Sequence, residues 1–163
     1  MKKINLKILL ISLISSTQLN CVQLNQADFL VHYHPHKNVQ ELVKSKEKSD
    51  LSYKELMQQF GRAYSMIQKG VIEQDKVTIE IGLDSIDTHP VPKEKPWSII
   101  SKDNQEAFKA SLLYYDNQLH NNIIDIKESL KTNNWILINQ KVFDLSNQCI
   151  SCHITWKDNT LNN

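Results

Sequence analysis

With 163 residues the chain has the usual length of one domain and is long enough to bury one substantial core. Hydrophobic residues make up 40% and charged residues 23%, and the formal net charge is +1, which excludes a disordered or strongly basic protein and gives no reason to expect a nucleic-acid partner. The sequence has only three Gly and four Pro, and none lies after residue 97. Because these are the usual helix breakers, the composition favours an all-α fold.

The N-terminus has the pattern of an export signal. Three lysines precede the apolar run of residues 8–14, which is too short to span a bilayer. We predict a signal peptide over residues 1–20, extending to residue 27 if cleavage follows Ala27, and hence an exported, periplasmic protein. Cys21 is a candidate for a lipid anchor that would tether the protein to the membrane. The alternative is that Cys21 leaves with the signal or stays an ordinary thiol.

Residues 28–50 are predicted to form a polar N-terminal arm. The segment is rich in Lys and lacks a helical apolar stripe. It carries His32, His34 and His36 at alternate positions, and imidazole commonly ligates zinc or copper, so a metal site is the alternative. Because no thiol ligand lies in the segment, a solvated arm is the favoured interpretation.

Two helices are predicted for the middle of the chain. The first begins at about Ser52, which has the spacing of a capping box with Glu55, and ends at about Gly70. Its apolar residues recur every three or four positions: Tyr53, Leu56, Phe60, Ala63 and Ile67. The second covers residues 72–86, although its alternating Val and Ile residues would also suit a strand. Prolines after His89 end it, since proline removes a backbone donor.

Two longer helices are predicted for the second half. The third covers about residues 103–130 and has a regular apolar stripe: Phe108, Leu112, Tyr115, Leu119, Ile123, Ile126 and Leu130. After a short turn the fourth stripe continues to Trp156: Trp135, Ile138, Val142, Leu145, Cys149, Cys152 and Trp156. Both cysteines therefore belong to a buried face. Four such helices predict an antiparallel four-helix bundle over residues 51–158, an architecture that holds cofactors between facing helices.

The strongest chemical signal is the sequence Cys-x-x-Cys-His at Cys149, Cys152 and His153, the pattern of covalent c-type haem attachment. Thiols three residues apart share one helical face and can reach the two vinyl groups of one porphyrin, while the adjacent imidazole meets the iron. A zinc site, a redox dithiol of the thioredoxin kind and a disulfide are the alternatives. Zinc needs a further ligand pair, and the dithiol motif normally opens a helix in a βαβ unit, so we favour one covalent haem c.

At these motifs the chain resembles the cytochrome c-prime family and its methionine-ligated, six-coordinate relatives, which are four-helix bundles with the haem motif near the C-terminus. The resemblance covers about residues 51–157. It depends on three pieces of sequence: Leu56-Met57 with Gly61-Arg62 and Lys69-Gly70, then Ile86-x-x-His89-Pro90-x-Pro92, then Cys149-x-x-Cys152-His153-x-x-Trp156-Lys157.

The resemblance implies roles for individual residues. Cys149 and Cys152 would form the thioethers, His153 would be the proximal iron ligand, and Lys157 would be a basic residue near the haem. Met57, four residues before a Gly-Arg pair, would be the distal iron ligand, which raises the reduction potential and suits electron transfer. Methionine on an apolar helical face is also a common core residue. The alternative is therefore a five-coordinate haem that binds nitric oxide or carbon monoxide.

These observations lead to one favoured function. We expect a monohaem c-type cytochrome that exchanges electrons with periplasmic redox partners and is not an enzyme, since the sequence has no phosphate loop, paired acids or nucleophile with a base. A haem-free thiol or zinc protein is the remote alternative. The resemblance also implies a possible homodimer through the first two helices. We expect His89 to be a loop residue near a haem edge and His120 to face solvent, and we favour neither as an iron ligand.

Overall fold

The computed structural model describes residues 36–160, and 78% of them are helical, as the composition predicts. Five α-helices lie in this range: α1 Val39–Ser45, α2 Tyr53–Glu73, α3 Lys76–Asp87, α4 Gln105–Leu130 and α5 Trp135–Trp156. Short 3-10 helices cover Pro96–Ile99, Lys102–Asn104 and Lys157–Asn159. Among the described residues, no helix combines the length and hydropathy needed to cross a membrane.

Two strands of two residues each pair in parallel within the described range. Strand β1 is Lys48–Ser49 and β2 is Val91–Pro92, with Lys48 opposite Val91. The pairing joins the segment before α2 to the segment after α3. Near the C-terminal end, a single antiparallel bridge joins Ile100 to Thr160.

Helix α2 begins where the sequence predicts but ends later. The capping box is present, since the Glu55 N–H donates to Ser52 Oγ at 3.2 Å and the Ser52 N–H donates to Glu55 Oε2 at 2.8 Å. The predicted end at Gly70 is wrong, because the helix continues to Glu73 and closes at Gln74 with a left-handed φ of 56°. Gly70 instead faces α3, where a Cβ would lie 2.6 Å from a side-chain atom of Ile79.

Helices α4 and α5 match the two longer predicted helices closely. Their apolar stripes supply much of one buried core, to which α2 and α3 also contribute: Ala63, Ile67, Ile79, Leu83, Ile86, Leu119, Ile123, Ile126, Leu130, Ile138, Val142 and Leu145. The turn between α4 and α5 ends at Asn134, whose side chain accepts from the Leu137 N–H at 3.1 Å. The core therefore draws on all four long helices.

The predicted polar arm over residues 28–50 requires a correction in its described part. Helix α1 forms there, with the Asn38 side chain accepting from the Glu41 N–H at 2.9 Å, and it buries Val39 and Leu42 in contact with α4. Three apolar residues in a helix of only seven are too few to produce a recognisable stripe, which is why the segment is predicted as a polar arm. The predicted signal peptide, Cys21, His32 and His34 lie outside the described residues.

Candidate functional site

The Cys-x-x-Cys-His motif occupies the last two turns of α5. Cys149 and Cys152 lie one turn apart and are half-buried, whereas His153 is exposed. Neither cysteine forms a disulfide within residues 36–160. The helix ends just beyond, where the Lys157 N–H donates to the His153 carbonyl. The motif is thus held on a rigid helix, with both thiols turned toward the interior and the imidazole more accessible.

A largely apolar cavity of about 330 Å³ adjoins this motif. We call it the cysteine cavity, because Cys149, Cys152 and His153 form its α5 wall. Helix α2 supplies much of the rest of the lining: Tyr53, Leu56, Met57, Phe60, Gly61 and Tyr64. Because α2 and α5 are separated by more than sixty residues, only the folded chain brings these groups together.

A second cavity of about 850 Å³ adjoins the first and shares several wall residues with it. Tyr53, Met57, Cys152 and His153 line both cavities, and Lys157 lines the second. All five predicted site residues, including Cys149 in the first cavity, therefore line one or both of these cavities. Met57 is half-buried there, and Lys157 is exposed.

Aromatic rings form one side of these cavities. Tyr53 packs edge-to-face on Phe108 with 6.2 Å between ring centroids, and Phe108 packs on Trp156 at 5.1 Å. Burial raises the pKa of Tyr53, and the neighbouring Cys152 raises it further. Tyr53 therefore stays a neutral phenol at physiological pH beside the cysteine cavity.

The two thiols lie in an environment that keeps them protonated. Burial raises the pKa of Cys149, and burial together with Cys149 raises the pKa of Cys152 to about 11. A redox dithiol instead needs a lowered thiol pKa, which the N-terminus of a helix promotes. Here the motif lies near the C-terminus of α5, where the helix dipole is negative and disfavours a thiolate. This environment is unlike that of a thioredoxin motif.

A polar cluster beside the cysteine cavity departs from the sequence-based expectation. His120 is only 7% exposed, so the prediction that it faces solvent is wrong. Its Nδ1 lies 2.8 Å from Asp87 Oδ1, and its Nε2 lies 3.6 Å from Asp116 Oδ2. The neighbouring Asn121 and Asn122 suggest an outward face in the sequence, but His120 contacts Asp116 on its own helix and Asp87 at the end of α3. The four-residue spacing of Asp116 and His120 is the signal that could have indicated a shared polar face.

His89 completes this cluster and is a loop residue, as expected. It follows α3, its side chain is 9% exposed, and its ring packs edge-to-face on Phe60 at 4.9 Å. Its Nε2 lies 3.4 Å from Asp116 Oδ1. Both His89 and Asp116 also line the cysteine cavity.

Opposite charges balance one another in this cluster. Burial alone would raise the pKa of Asp116, but the hydrogen bond from His89 and the charges of Lys46 and the two histidines outweigh burial and lower it. Burial lowers the pKa of Lys46, whose ammonium lies 3.8 Å from Asp116 Oδ1. Asp116 is therefore a buried carboxylate surrounded by nitrogen groups.

The two cavities thus offer two thiols, an imidazole and a thioether within largely apolar walls. Thiols and thioethers are soft ligands, and imidazole suits iron and other transition metals. Apolar walls suit a flat hydrophobic cofactor better than a charged one. Comparison of the chain with models of protein families, with curated proteins and with solved structures finds no match.

Proposed function

We propose that the protein is a periplasmic monohaem c-type cytochrome that transfers electrons. Cys149 and Cys152 would hold haem c through two thioether bonds, and His153 would be the proximal ligand of its iron. The observation that carries this proposal is the position of the Cys-x-x-Cys-His motif on the wall of an apolar cavity that Met57 also lines.

The residues around the cavity fit this cofactor. Two neutral thiols one helical turn apart match covalent attachment to two vinyl groups, because each thioether forms by adding S–H across a carbon–carbon double bond. The cavity volumes fall in the usual range for cofactor sites. The exposed position of His153 leaves its imidazole accessible to a ligand on the same side of α5.

The cofactor would supply one-electron chemistry, and the chain would tune it. Apolar walls from α2 exclude water, and Phe108 and Trp156 pack beside the motif. Met57 is the group available as the distal ligand, and a thioether raises the reduction potential. Lys157 adds a positive charge at the rim of the second cavity.

The same proposal includes an antiparallel four-helix bundle formed by α2 to α5. Its support is the packing of α2 on α3 and of α4 on α5, each pair joined by a short turn, and a core to which all four helices contribute. Bundles of this kind hold cofactors between facing helices. A homodimer through α2 and α3 remains part of the proposal as an implication of the resemblance.

The proposed location and partners follow from the N-terminal sequence and from the cofactor. Residues 1–20 have the features of an export signal, and haem c is attached after translocation, so we propose periplasmic redox partners. Cys21 remains the proposed point of a lipid anchor. We propose no enzymatic activity beyond electron transfer.

A five-coordinate haem that binds nitric oxide or carbon monoxide is the second candidate function. The observation that favours it is the position of Tyr53, which lines both cavities beside Met57 and lies close enough to Cys152 for the thiol to raise its pKa. A phenol beside an open iron position can donate a hydrogen bond to a bound diatomic ligand.

Optical spectra of protein expressed with a c-haem maturation system test the proposal. We expect haem that survives denaturation, which identifies covalent attachment, and a low-spin reduced spectrum that carbon monoxide does not change. A high-spin spectrum that shifts with carbon monoxide would favour the gas-binding candidate. Protein that carries no covalent haem would contradict both and leave a thiol or zinc protein.

Replacement of Met57 by Leu tests the distal ligand. Leu has a similar volume, so the fold should lose less than about 1.5 kcal/mol. We expect the oxidised protein to lose its methionine-to-iron band, the reduction potential to fall, and carbon monoxide to bind. Met66→Leu is the matched control, because Met66 lies on the same helix and lines neither cavity. Identical spectra for the two variants would assign Met57 to the core alone.

A further inference from the structure

Three potential metal ligands come together beside the cysteine cavity. His89 lies in the segment after α3, and Asp116 and His120 lie four residues apart on one face of α4. Each side chain is only 8% or 9% exposed. One ligand atom from each residue lies within 4.8 Å of the others.

Both imidazoles are oriented by an oxygen on their far side. His120 Nδ1 lies 2.8 Å from Asp87 Oδ1, and His89 Nδ1 lies 3.0 Å from the Pro90 carbonyl oxygen. Neither oxygen can donate, so each Nδ1 is the donor in its contact, and a metal ion would replace the Nε2 proton through which His89 bonds Asp116. Each Nε2 is then turned toward Asp116. Metal-binding histidines have this arrangement, in which an outer oxygen fixes the ring and the other nitrogen binds the metal.

Each imidazole faces one oxygen of Asp116 at a separation that neighbouring metal ligands also have. Metal–ligand bonds of about 2.0–2.2 Å place neighbouring ligand atoms roughly 3.3–3.6 Å apart in tetrahedral geometry. Asp116 Oδ1 lies 3.4 Å from His89 Nε2, and Asp116 Oδ2 lies 3.6 Å from His120 Nε2. Moreover, Asp116 Oδ2 is buried without a hydrogen-bond partner in the described part of the chain. A buried carboxylate oxygen in that state is costly, and a cation would satisfy it.

Lys46 lies against the same ligand atoms. Its Nζ lies 3.4 Å from His120 Nε2 and 3.8 Å from Asp116 Oδ1. The ammonium therefore supplies the positive charge that a metal ion would bring. Lys46 directly follows α1 in extended backbone, so its side chain belongs to a different element from the three ligands. Metal binding would exchange this ammonium for the ion.

We propose that His89, Asp116 and His120 form a second metal site, which binds one divalent ion of the zinc class. Two imidazoles and one carboxylate are a donor set that such ions prefer, and a fourth position would remain for water. The site differs from the proposed haem iron and from the histidines of the N-terminal segment. It does not depend on the haem, although His89 and Asp116 also line the cysteine cavity.

Titration of the haem-loaded protein with Zn²⁺ alone, followed by calorimetry, tests this site. The background carries His32→Gln, His34→Gln and His36→Gln, which removes the other histidine cluster. We expect one Zn²⁺ per chain, and at least a tenfold loss of affinity in both Asp116→Asn and His89→Gln. Far-UV circular dichroism checks that each variant folds. Two folded variants that keep the affinity of the background would overturn the proposal.

Two further comparisons separate metal binding from a structural role. Asp87→Asn removes the partner of His120 Nδ1 and should cost 10–100-fold in affinity, the usual effect of an outer-sphere partner. Asp84→Asn is its matched control, since Asp84 and Asp87 both pair with Lys127 but only Asp87 contacts His120. Equal losses in these two variants would contradict the assignment.

Replacement of Lys46 by Met should raise the Zn²⁺ affinity, because it removes the competing ammonium. A gain of affinity cannot arise from partial unfolding, so this variant keeps the test independent of stability. Unchanged or weaker binding in Lys46→Met would contradict the proposed exchange.

Discussion

Gly82 lies at a close approach between α3 and α2. A Cβ at this position would lie 2.6 Å from Ile67 Cγ1 and 2.8 Å from the Ala63 carbonyl oxygen. The side-chain atom could move, but the carbonyl belongs to the middle of α2 and is fixed by the helix. The glycine is therefore required by packing between two helices and not by backbone conformation.

Replacement of Gly82 by Ala should destabilise the protein by about 1–3 kcal/mol, the usual cost of overpacking. Gly61→Ala is the matched control, because Gly61 also lies within a helix and a Cβ there meets nothing within 4 Å. This control should gain roughly 0.5–1 kcal/mol from helix propensity. Urea unfolding gives both free energies. If both variants gained stability, α2 and α3 would not be in close contact at Gly82.

What the sequence predicts at the scale of residues depends on how far apart the partners lie. Cys149, Cys152 and His153 are neighbours in sequence, so their spacing alone is enough to predict haem attachment, which stays a proposal. The environment of His120 was wrongly predicted because its partners Asp87 and Lys46 lie 33 and 74 residues away. No local pattern indicates contacts of that kind.

At the scale of helices, the start of α3 depends on one side chain. Asp75 Oδ2 accepts from the Thr78 hydroxyl at 2.6 Å, and Oδ1 accepts from the Val77 N–H at 3.0 Å and the Thr78 N–H at 3.3 Å. The hydrogen bonds from Thr78 lower the pKa of Asp75. Asp75 therefore serves as the N-cap that lets α3 begin with only two residues between it and the end of α2.

The charge of Asp75 predicts a pH dependence of stability. Because its folded pKa is lowered, ionised Asp75 contributes stability above its unfolded pKa of about 4, and this contribution disappears as pH falls through the folded value. Asp75→Asn keeps a side-chain acceptor but removes the titrating carboxyl group. Asp75→Ala removes both the acceptor and the titrating group. We expect Asp75→Ala to be less stable than wild type at pH 7 and the gap to narrow at pH 3, as measured by urea unfolding. If the difference in unfolding free energy between wild type and Asp75→Ala were the same at both pH values, the charge of Asp75 would not contribute to the cap.

The helices that the sequence predicts well are those with long apolar stripes. Helices α4 and α5 have 26 and 22 residues, so the periodic signal repeats many times. Helix α1 has seven residues and two buried positions, and its stability comes from packing on α4. The predicted end of α2 at Gly70 was wrong because this glycine allows α3 to pack closely against α2 and does not end the helix.

At the scale of the whole molecule, the apolar core continues into an open cavity. The core residues of α2 to α5 are almost fully buried, whereas the cysteine cavity beside them has mainly apolar walls around about 330 Å³. Apolar side chains of a core normally pack at high density, so such a volume is costly unless a ligand fills it. The apolar walls therefore support the proposal that a cofactor fills this volume.

If haem fills the cysteine cavity, as proposed, its covalent attachment should stabilise the whole fold. The free energy of unfolding of wild type expressed without haem maturation should be roughly 2–5 kcal/mol lower than that of the haem-loaded protein. This range is typical of emptied core sites. It should also bind the dye ANS, which reports exposed apolar surface. Urea unfolding and dye fluorescence are the measurements. Cys149→Ser with Cys152→Ser should resemble the haem-free wild type. If the haem-free and haem-loaded proteins were equally stable and neither bound the dye, the apolar cavity could not be the cofactor site.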